Sequence, residues 1–330
     1  MVKALISLGG LGFILSAILT VAYAKLAIKV SLKEKQVRDT LPGANCGACG
    51  FPGCEGYANA LAKGESEIGL CPVGGTELAA KLSNILEVEA KEIEPKVALM
   101  RCRGDRNSTE QRFNYIGLKS CSGAQLVAGG PKSCLYGCLG FGDCVQACGF
   151  DAIEMEDNGL PIIDDKKCTG CGLCSDVCHR NLIELIPKVE KVYVSCSSPE
   201  SARLTKLHCK VGCIGCKLCE RNCPYNAIKV ENGMARINFE LCENCGICVK
   251  KCPTSAIVDK LKSRRPKAMI GTDCTGCEKC KEVCPMNAIS GEPTQQHHVD
   301  FNKCIGCGLC AKVCESEAIT MAFSLGYSRV

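Results

Sequence analysis

Six times along this chain a cysteine is followed, four and five residues later, by Ala-Ile or Leu-Ile. The copies are CGFDAI from Cys148, CHRNLI from Cys178, CPYNAI from Cys223, CPTSAI from Cys252, CPMNAI from Cys284 and CESEAI from Cys314. Five of them are preceded by C-x2-C-x2-C-x3, and the sixth by an altered run, CLYGCLGFGDCVQAC, with Cys134, Cys138, Cys144 and Cys148. A unit repeated this often constrains the fold more than composition does, because every copy can take the same local path. Spacing groups the copies: Cys148 to Cys168 is 20 residues, Cys223 to Cys242 is 19 and Cys284 to Cys304 is 20, whereas Cys178 to Cys213 is 35. The halves therefore pair into three modules. The text between halves, such as IKVENGMARINFE from Ile228, has the alternation and Asn-Gly turn of a β-hairpin.

Three cysteines at steps of three wrap a tight loop around one face of a cubic cluster, and a fourth reaches the neighbouring cluster. The run resembles the bacterial two-cluster ferredoxin pattern, cross-ligation included. That resemblance implies one set of Cys213, Cys216, Cys219 and Cys252, and a mate of Cys242, Cys245, Cys248 and Cys223. It implies Cys274, Cys277, Cys280 with Cys314, and Cys304, Cys307, Cys310 with Cys284. In the altered module Cys168, Cys171, Cys174 and Cys148 make a regular set, leaving Cys134, Cys138, Cys144 and Cys178 as the irregular one. Zinc competes with this reading, but a zinc ribbon uses two cysteine pairs per ion and not a repeated run of four with crossing partners. Disulfide scaffolds with so much cysteine, 32 of 330 residues, are short secreted chains. Metal in a reducing compartment fits better.

Ahead of the modules stands NCGACGFPGC, residues 45 to 54, followed by Cys71. Cys46, Cys49, Cys54 and Cys71 sit on loops around a helix expected at Glu55 to Lys63, with another helix from about Glu77. Zinc stays an alternative here. Gly47, Gly50 and Gly53 favour a cluster, since they let backbone amides approach the sulfurs. The charged stretch from Ser83 to Val97 reads as a helical connector. Seven clusters use 28 cysteines and leave Cys102, Cys121, Cys196 and Cys209. A second-level repeat surrounds these: MRC and CLYGC (134 to 138) resemble VSC and CKVGC (209 to 213). The four could be buried free thiols or bind an eighth cluster. If Cys134 and Cys209 are equivalent, Cys134 leaves the irregular set, which then needs Cys102 or Cys121.

Ala4 to Ala24 carries no charge, which is long enough to span a bilayer as a helix. A cleaved secretory signal competes, with Lys3 and AYA at 22 to 24 as its marks. Lys25, Lys29, Lys33, Lys35 and Arg38 follow the run and place the rest in the cytoplasm by the positive-inside rule. Formal charge is +5, but each cluster with four thiolates carries about −2, so the loaded chain comes to about −9 and basicity points to no nucleic acid. The basic run KLKSRRPK, 260 to 267, is a solvated linker or, with Arg264 and Arg265, a docking patch for an acidic partner such as a ferredoxin. His297 and His298 read as an exposed loop pair. No dinucleotide fingerprint and no Ser/His/Asp arrangement is evident.

The apolar segment, then GANCGACGFPGCEGYANALAKG with CPVGG, then ferredoxin modules, together resemble the B subunit of the Rnf complex, the membrane-bound ferredoxin:NAD oxidoreductase that couples electron transfer to Na+ or H+ translocation. The resemblance implies an electron-transfer subunit with no isolated catalytic site. Electrons from soluble ferredoxin would pass along [4Fe-4S] clusters, seven or eight, to membrane subunits, with flavin and nicotinamide sites on other subunits. A polyferredoxin of another membrane reductase or hydrogenase, and a protein whose metals only fold it, are the alternatives. The expected fold class is α+β: an anchor and basic linker (1–36), a small Fe-S domain (37–96), an altered two-cluster module (97–187) and two regular ones (188–262, 263–330).

Overall fold

The computed structural model describes residues 2–26, 31–89, 94–261 and 265–322. It divides into two compact units, Met1–Ile93 and Glu94–Val330.

In the first unit α1 spans Val2–Leu26. Its two central hydroxyls are satisfied inside the helix, Ser16 Oγ donating to Phe13 O and Thr20 Oγ1 to Ser16 O. The large apolar side chains described on it, Leu11 through Tyr23, are exposed. Among the described residues no helix is long and apolar enough to cross a membrane, so the span expected at 4–24 rests on the sequence. Helix α2 (Leu32–Thr40) starts at Ser31, whose Oγ accepts from Glu34 N at 3.1 Å, the S-x-x-E start signal. Helix α3 (Gly53–Lys63) stops at the left-handed Gly64, and α4 covers Gly75–Leu86. Val37, Tyr57, Ala58, Leu61, Leu78 and Leu82 pack these helices on one another, with Cys71 buried in the same core. Of the helical connector expected over Ser83–Val97, Ser83–Leu86 are helical as the end of α4, which stops where Glu87 turns left-handed (φ 59°), and the chain is extended from Lys96. Residues 90–93 of it lie outside the described ones.

The second unit is built of antiparallel strand pairs. β1 (Lys96–Met100) pairs with β4 (Ile183–Pro187), β5 (Val192–Val194) with β8 (Ile257–Asp259), and β9 (Lys267–Ile270) with β12 (Ile319–Ala322). Each of these pairs joins the ends of one cysteine module and encloses a hairpin. The hairpins are β2 (Ile153–Met155) with β3 (Pro161–Ile163), β6 (Ile228–Glu231) with β7 (Met234–Ile237), and β10 (Ile289–Ser290) with β11 (His298–Val299). The β6–β7 register runs from Ile228↔Ile237 to Glu231↔Met234. Its turn, Asn232-Gly233, has φ of 49° and 77°, the double left-handed turn that the Asn-Gly dipeptide signals.

Little ordinary core supports these sheets. In the last module the buried cluster is Ala268, Cys280, Ile289, Cys310 and Ile319. So small an apolar core cannot offset chain entropy by itself, and the cysteine side of the module has to supply the difference.

Candidate cluster sites

All six cysteine repeats share one backbone path. The third cysteine of each run is the second residue of a four- or five-residue helix: Cys144 in α6 (Asp143–Gln146), Cys174 in α7 (Leu173–Asp176), Cys219 in α9 (Leu218–Arg221), Cys248 in α10 (Ile247–Lys251), Cys280 in α11 (Lys279–Glu282) and Cys310 in α12 (Leu309–Lys312). All six are buried. Each helix follows a left-handed residue, Gly142, Gly172, Lys217, Gly246, Glu278 or Gly308. The altered run, whose spacing is irregular, thus regains the common path from Gly142 onward.

The Ala-Ile tail of each repeat has a physical cause. Three residues after the fourth cysteine the backbone turns left-handed, at Asp151, Asn181, Asn226, Ser255, Asn287 and Glu317. That turn swings the next amide back toward the sulfur: Leu182 N donates to Cys178 Sγ and Ala288 N to Cys284 Sγ, both at 3.3 Å. The residue carrying that amide is buried beside the thiol, and the isoleucine after it starts the strand and enters the core.

The expected sets of cysteines come together. Cys284, Cys304, Cys307 and Cys310 line one cavity. Burial raises Cys310 to about 12, with Cys307, Cys304 and Cys284 adding to the rise. The same holds for Cys174, raised to about 12 by burial and then by Cys168 and Cys171, with Cys144 and Cys148 also near. Cys219, at about 11, is raised by burial and by Cys213, Cys216 and Cys252. Cys248, at about 12, is raised by burial and by Cys245, Cys242, Cys219 and Cys223. Burial also raises Cys280, beside Cys274, Cys277 and Cys314. Burial keeps these thiols protonated, and a cationic centre bound among them would take them as thiolates and release the protons. Among the described residues no group of three or more His, Cys, Asp or Glu is placed to hold a metal ion; Cys284, Cys304, Cys307 and Cys310 line a cavity instead.

In the first unit Cys49 and Cys54 pack against the core that buries Cys71, and burial raises Cys71, with Cys49 and Cys46 adding to the rise. Asn45 orders the loop, its Oδ1 accepting from Cys54 N at 2.8 Å. Tyr57 holds the return loop, its hydroxyl donating to Glu67 O at 3.0 Å and accepting from Leu70 N at 3.3 Å.

The irregular set differs from its expectation. The cavity lined by Cys138, Cys144 and Cys178 takes Cys121 as its fourth cysteine, and Cys134 faces elsewhere. Asp143 is the reason. Its carboxylate accepts from Cys121 N at 2.8 Å and Ser122 N at 3.2 Å, docking the start of α5 (Cys121–Leu126) onto α6, which carries Cys144. Arg180 fixes the far side of the loop by donating to Cys134 O at 3.1 Å, to Gln125 Oε1 at 2.9 Å and to Gly129 O and Gly137 O.

Two smaller expectations are corrected. His297 is not exposed: it is 1% accessible, with Nδ1 3.7 Å from Cys274 Sγ, while His298 is exposed on β11. Arg265 is not a free docking cation either. It is buried, paired with Asp259 through both guanidinium ends (2.5 and 3.0 Å), and donates to Asn244 O. Arg264 lies outside the described residues.

Family comparisons agree with this geometry. A model described as an Fe-S cluster matches residues 41–73, a 4Fe-4S binding domain matches 161–183, and 4Fe-4S dicluster domains match 212–256, 235–290 and 272–321. The chain is 38% identical to the B subunit of the Na(+)-translocating ferredoxin:NAD(+) oxidoreductase complex of Acetobacterium woodii, covering 86% of this chain and 76% of that protein. It is 38% identical to the B subunit of the ion-translocating oxidoreductase complex of Methanosarcina acetivorans, covering 88% and 97%. It is 41% identical to the B subunit of the proton-translocating ferredoxin:NAD(+) oxidoreductase complex of Clostridium ljungdahlii, covering 70% and 82%. With its cysteine sets and this likeness over most of its length, the chain belongs to the B-subunit family of the ion-translocating oxidoreductase (Rnf) complexes.

Proposed function

We propose that this chain conducts electrons from reduced ferredoxin, through [4Fe-4S] clusters held by its cysteine sets, to membrane partners of an Na+- or H+-translocating ferredoxin:NAD oxidoreductase. The observation that carries the reading is the common path of six cysteine repeats, each burying its third cysteine on a short helix that follows a left-handed residue. Family membership supplies the setting.

The donor set fits cubane clusters: four thiol groups, clefts between short helices and strands, and amides turned toward sulfur. A bound [4Fe-4S] cluster supplies a one-electron couple whose potential responds to hydrogen bonds and burial. The chain's own residues set those conditions. Ala98 N donates to Cys168 Sγ at 3.4 Å, and Leu182 N and Ala288 N donate to their sulfurs. Such bonds favour the more negative state and so raise the potential, while burial of the third cysteines opposes it. Electron delivery ends, on this reading, at the Cys46, Cys49, Cys54 and Cys71 centre, about 20 residues in sequence beyond the anchor.

The anchor itself is residues 4–24, supported by the uncharged run, the 25-residue helix α1 and its exposed apolar side chains. At 1.5 Å per residue an uncharged run such as 4–24 reaches about 30 Å as a helix, the thickness of a hydrocarbon core, and the span rests on that sequence argument. The basic residues after it favour a cytoplasmic location for the Fe-S domains. Purification of the complex from membranes tests the proposal. Flavin-bearing membrane subunits should accompany this chain, and the preparation should reduce NAD+ with reduced ferredoxin. Isolation with hydrogenase or other reductase subunits, and no such activity, would overturn it.

A further inference from the structure

Four cysteines remain outside both the regular sets and the irregular one: Cys102, Cys134, Cys196 and Cys209. They lie far apart in sequence, yet they line one cavity. Its volume, about 20 Å³, equals that of the cavity of Cys284, Cys304, Cys307 and Cys310. The point where a Gly137 Cβ would sit is 3.5 Å from Cys134 Sγ and 3.6 Å from Cys102 Sγ. The same point at Gly104 is 3.3 Å from Cys209 Sγ and 3.7 Å from Cys102 Sγ. Glycine at both places lets the sulfurs approach one another, with Thr109 Oγ1 2.6 Å from the Gly104 point and 3.7 Å from Cys209 Sγ.

Their amide environment is that of the regular ligands. Cys242, Cys245 and Cys307 each receive a backbone N–H from the residue two positions on: Asn244, Ile247 and Leu309. Cys102, Cys134 and Cys196 do the same with Gly104, Tyr136 and Ser198.

Charge points the same way. Lys132 is 2% accessible and its ammonium donates to a carbonyl, Gly104 O at 2.7 Å. The half-buried Arg180 likewise donates to uncharged oxygens, those of Gln125, Gly129, Cys134 and Gly137. Buried cations need negative partners, and around these two stand Cys102, Cys134 and Cys138.

We propose that Cys102, Cys134, Cys196 and Cys209 bind an eighth [4Fe-4S] cluster that bridges the module containing β1 to the one containing β5. With Cys121 completing the set of Cys138, Cys144 and Cys178, all 32 cysteines are then used in fours. The site has an internal pseudo-symmetry. Cys102 follows β1 as Cys196 follows β5, and Cys134 precedes Cys138 as Cys209 precedes Cys213. Cys138 N donates to Cys102 Sγ at 3.3 Å, and the Cys213 amide donates to the Cys196 sulfur. Each side of the bridge thus hydrogen-bonds directly to a cysteine of the neighbouring set. One electron enters from one side and leaves to the other, with no bond made or broken.

The proposal rests on the cluster-binding reading of the regular modules, and its test separates the two. The full chain, purified without oxygen, is weighed by native mass spectrometry and assayed for iron, sulfide and zinc. The expected result is about 32 iron per chain, with about 28 in Cys196→Ser and in Cys209→Ser. The double variant Cys196→Ser/Cys209→Ser should also keep about 28, because both act on one cluster. Cys121→Ser/Cys209→Ser should fall to about 24. For variants that fold poorly, wild-type protein is treated with iodoacetamide under native conditions, and all four thiols should be protected. About 28 iron in the wild type, unchanged in Cys196→Ser and Cys209→Ser, or alkylation of these thiols, overturns the eighth cluster alone. Zinc in place of iron throughout overturns the cluster reading as well.

Discussion

Gly170 and Gly172 flank Cys171, both with positive φ (70° and 87°), and they offer a controlled test of how the sulfur loops are held. A Cβ at 170 would stand 2.5 Å from Lys96 O and 3.0 Å from its carbonyl carbon, at the start of β1. A Cβ at 172 would meet only Leu185 Cδ1, at 3.6 Å, an ordinary contact. Alanine costs about 1–2 kcal/mol at either place for the left-handed backbone. At 170 the backbone must also move, adding about 1–3 kcal/mol as overpacking does elsewhere. That movement disturbs the strand carrying Ala98, whose amide donates to Cys168 Sγ. Gly170→Ala should therefore open the site about 5- to 140-fold more often than Gly172→Ala, since 1.4 kcal/mol is a factor of ten. The assay is the rate at which visible cluster absorbance is lost to a chelator under denaturant without oxygen. Equal rates for the two variants, or a faster loss in Gly172→Ala, would refute the close-approach argument.

Three further outcomes follow from the same structure. Asp143→Ala removes two charge-assisted hydrogen bonds to the start of α5, about 3 kcal/mol or more in total, and should cost roughly one cluster, with Cys121 newly open to alkylation; unchanged iron and labelling would contradict it. Arg265→Ala breaks a buried pair with Asp259, a loss of about 3–5 kcal/mol, and should lower the denaturant midpoint of the loaded protein while leaving the salt dependence of ferredoxin oxidation intact. The reverse pattern would restore Arg265 as a docking residue. Removing the clusters with oxidant and chelator should abolish the β signal in circular dichroism while the helices around Tyr57 and Leu82 persist, because the last module's core holds only three apolar residues besides its cysteines. An apo spectrum equal to the loaded one would show that the sheets do not need the metal.

The C-x2-C-x2-C step and the Asn232-Gly233 turn act within a few residues, so the sequence reveals them, whereas the left-handed residue before each short helix is a lysine at 217 and a glutamate at 278 and carries no such signal. The fourth cysteine beside Cys138, Cys144 and Cys178 is half legible: the second-level repeat narrows it to Cys102 or Cys121, and the choice of Cys121 depends on Asp143, which recruits α5 from 21 and 22 residues away. The second-level repeat does hint that Cys134 pairs with Cys209, and the cavity places them together. His297 and Arg265 mislead for a related reason: polarity suggests exposure, but Cys274 and Asp259 receive them inside the fold. The helix before β1 ends at Leu86 because Glu87 takes a left-handed cap, which the connector's charged, helix-favouring composition conceals.

The most direct measurement of electron conduction is freeze-quench electron paramagnetic resonance on the intact complex. Reduced ferredoxin is added without NAD+, and the sample is frozen within milliseconds to seconds. Signals of reduced [4Fe-4S] centres assigned to this chain should appear, decay once NAD+ is supplied, and be altered in Cys46→Ser or Cys252→Ser in step with the rate of NADH formation. If NADH forms while these centres stay oxidised throughout, the chain is not the conductor.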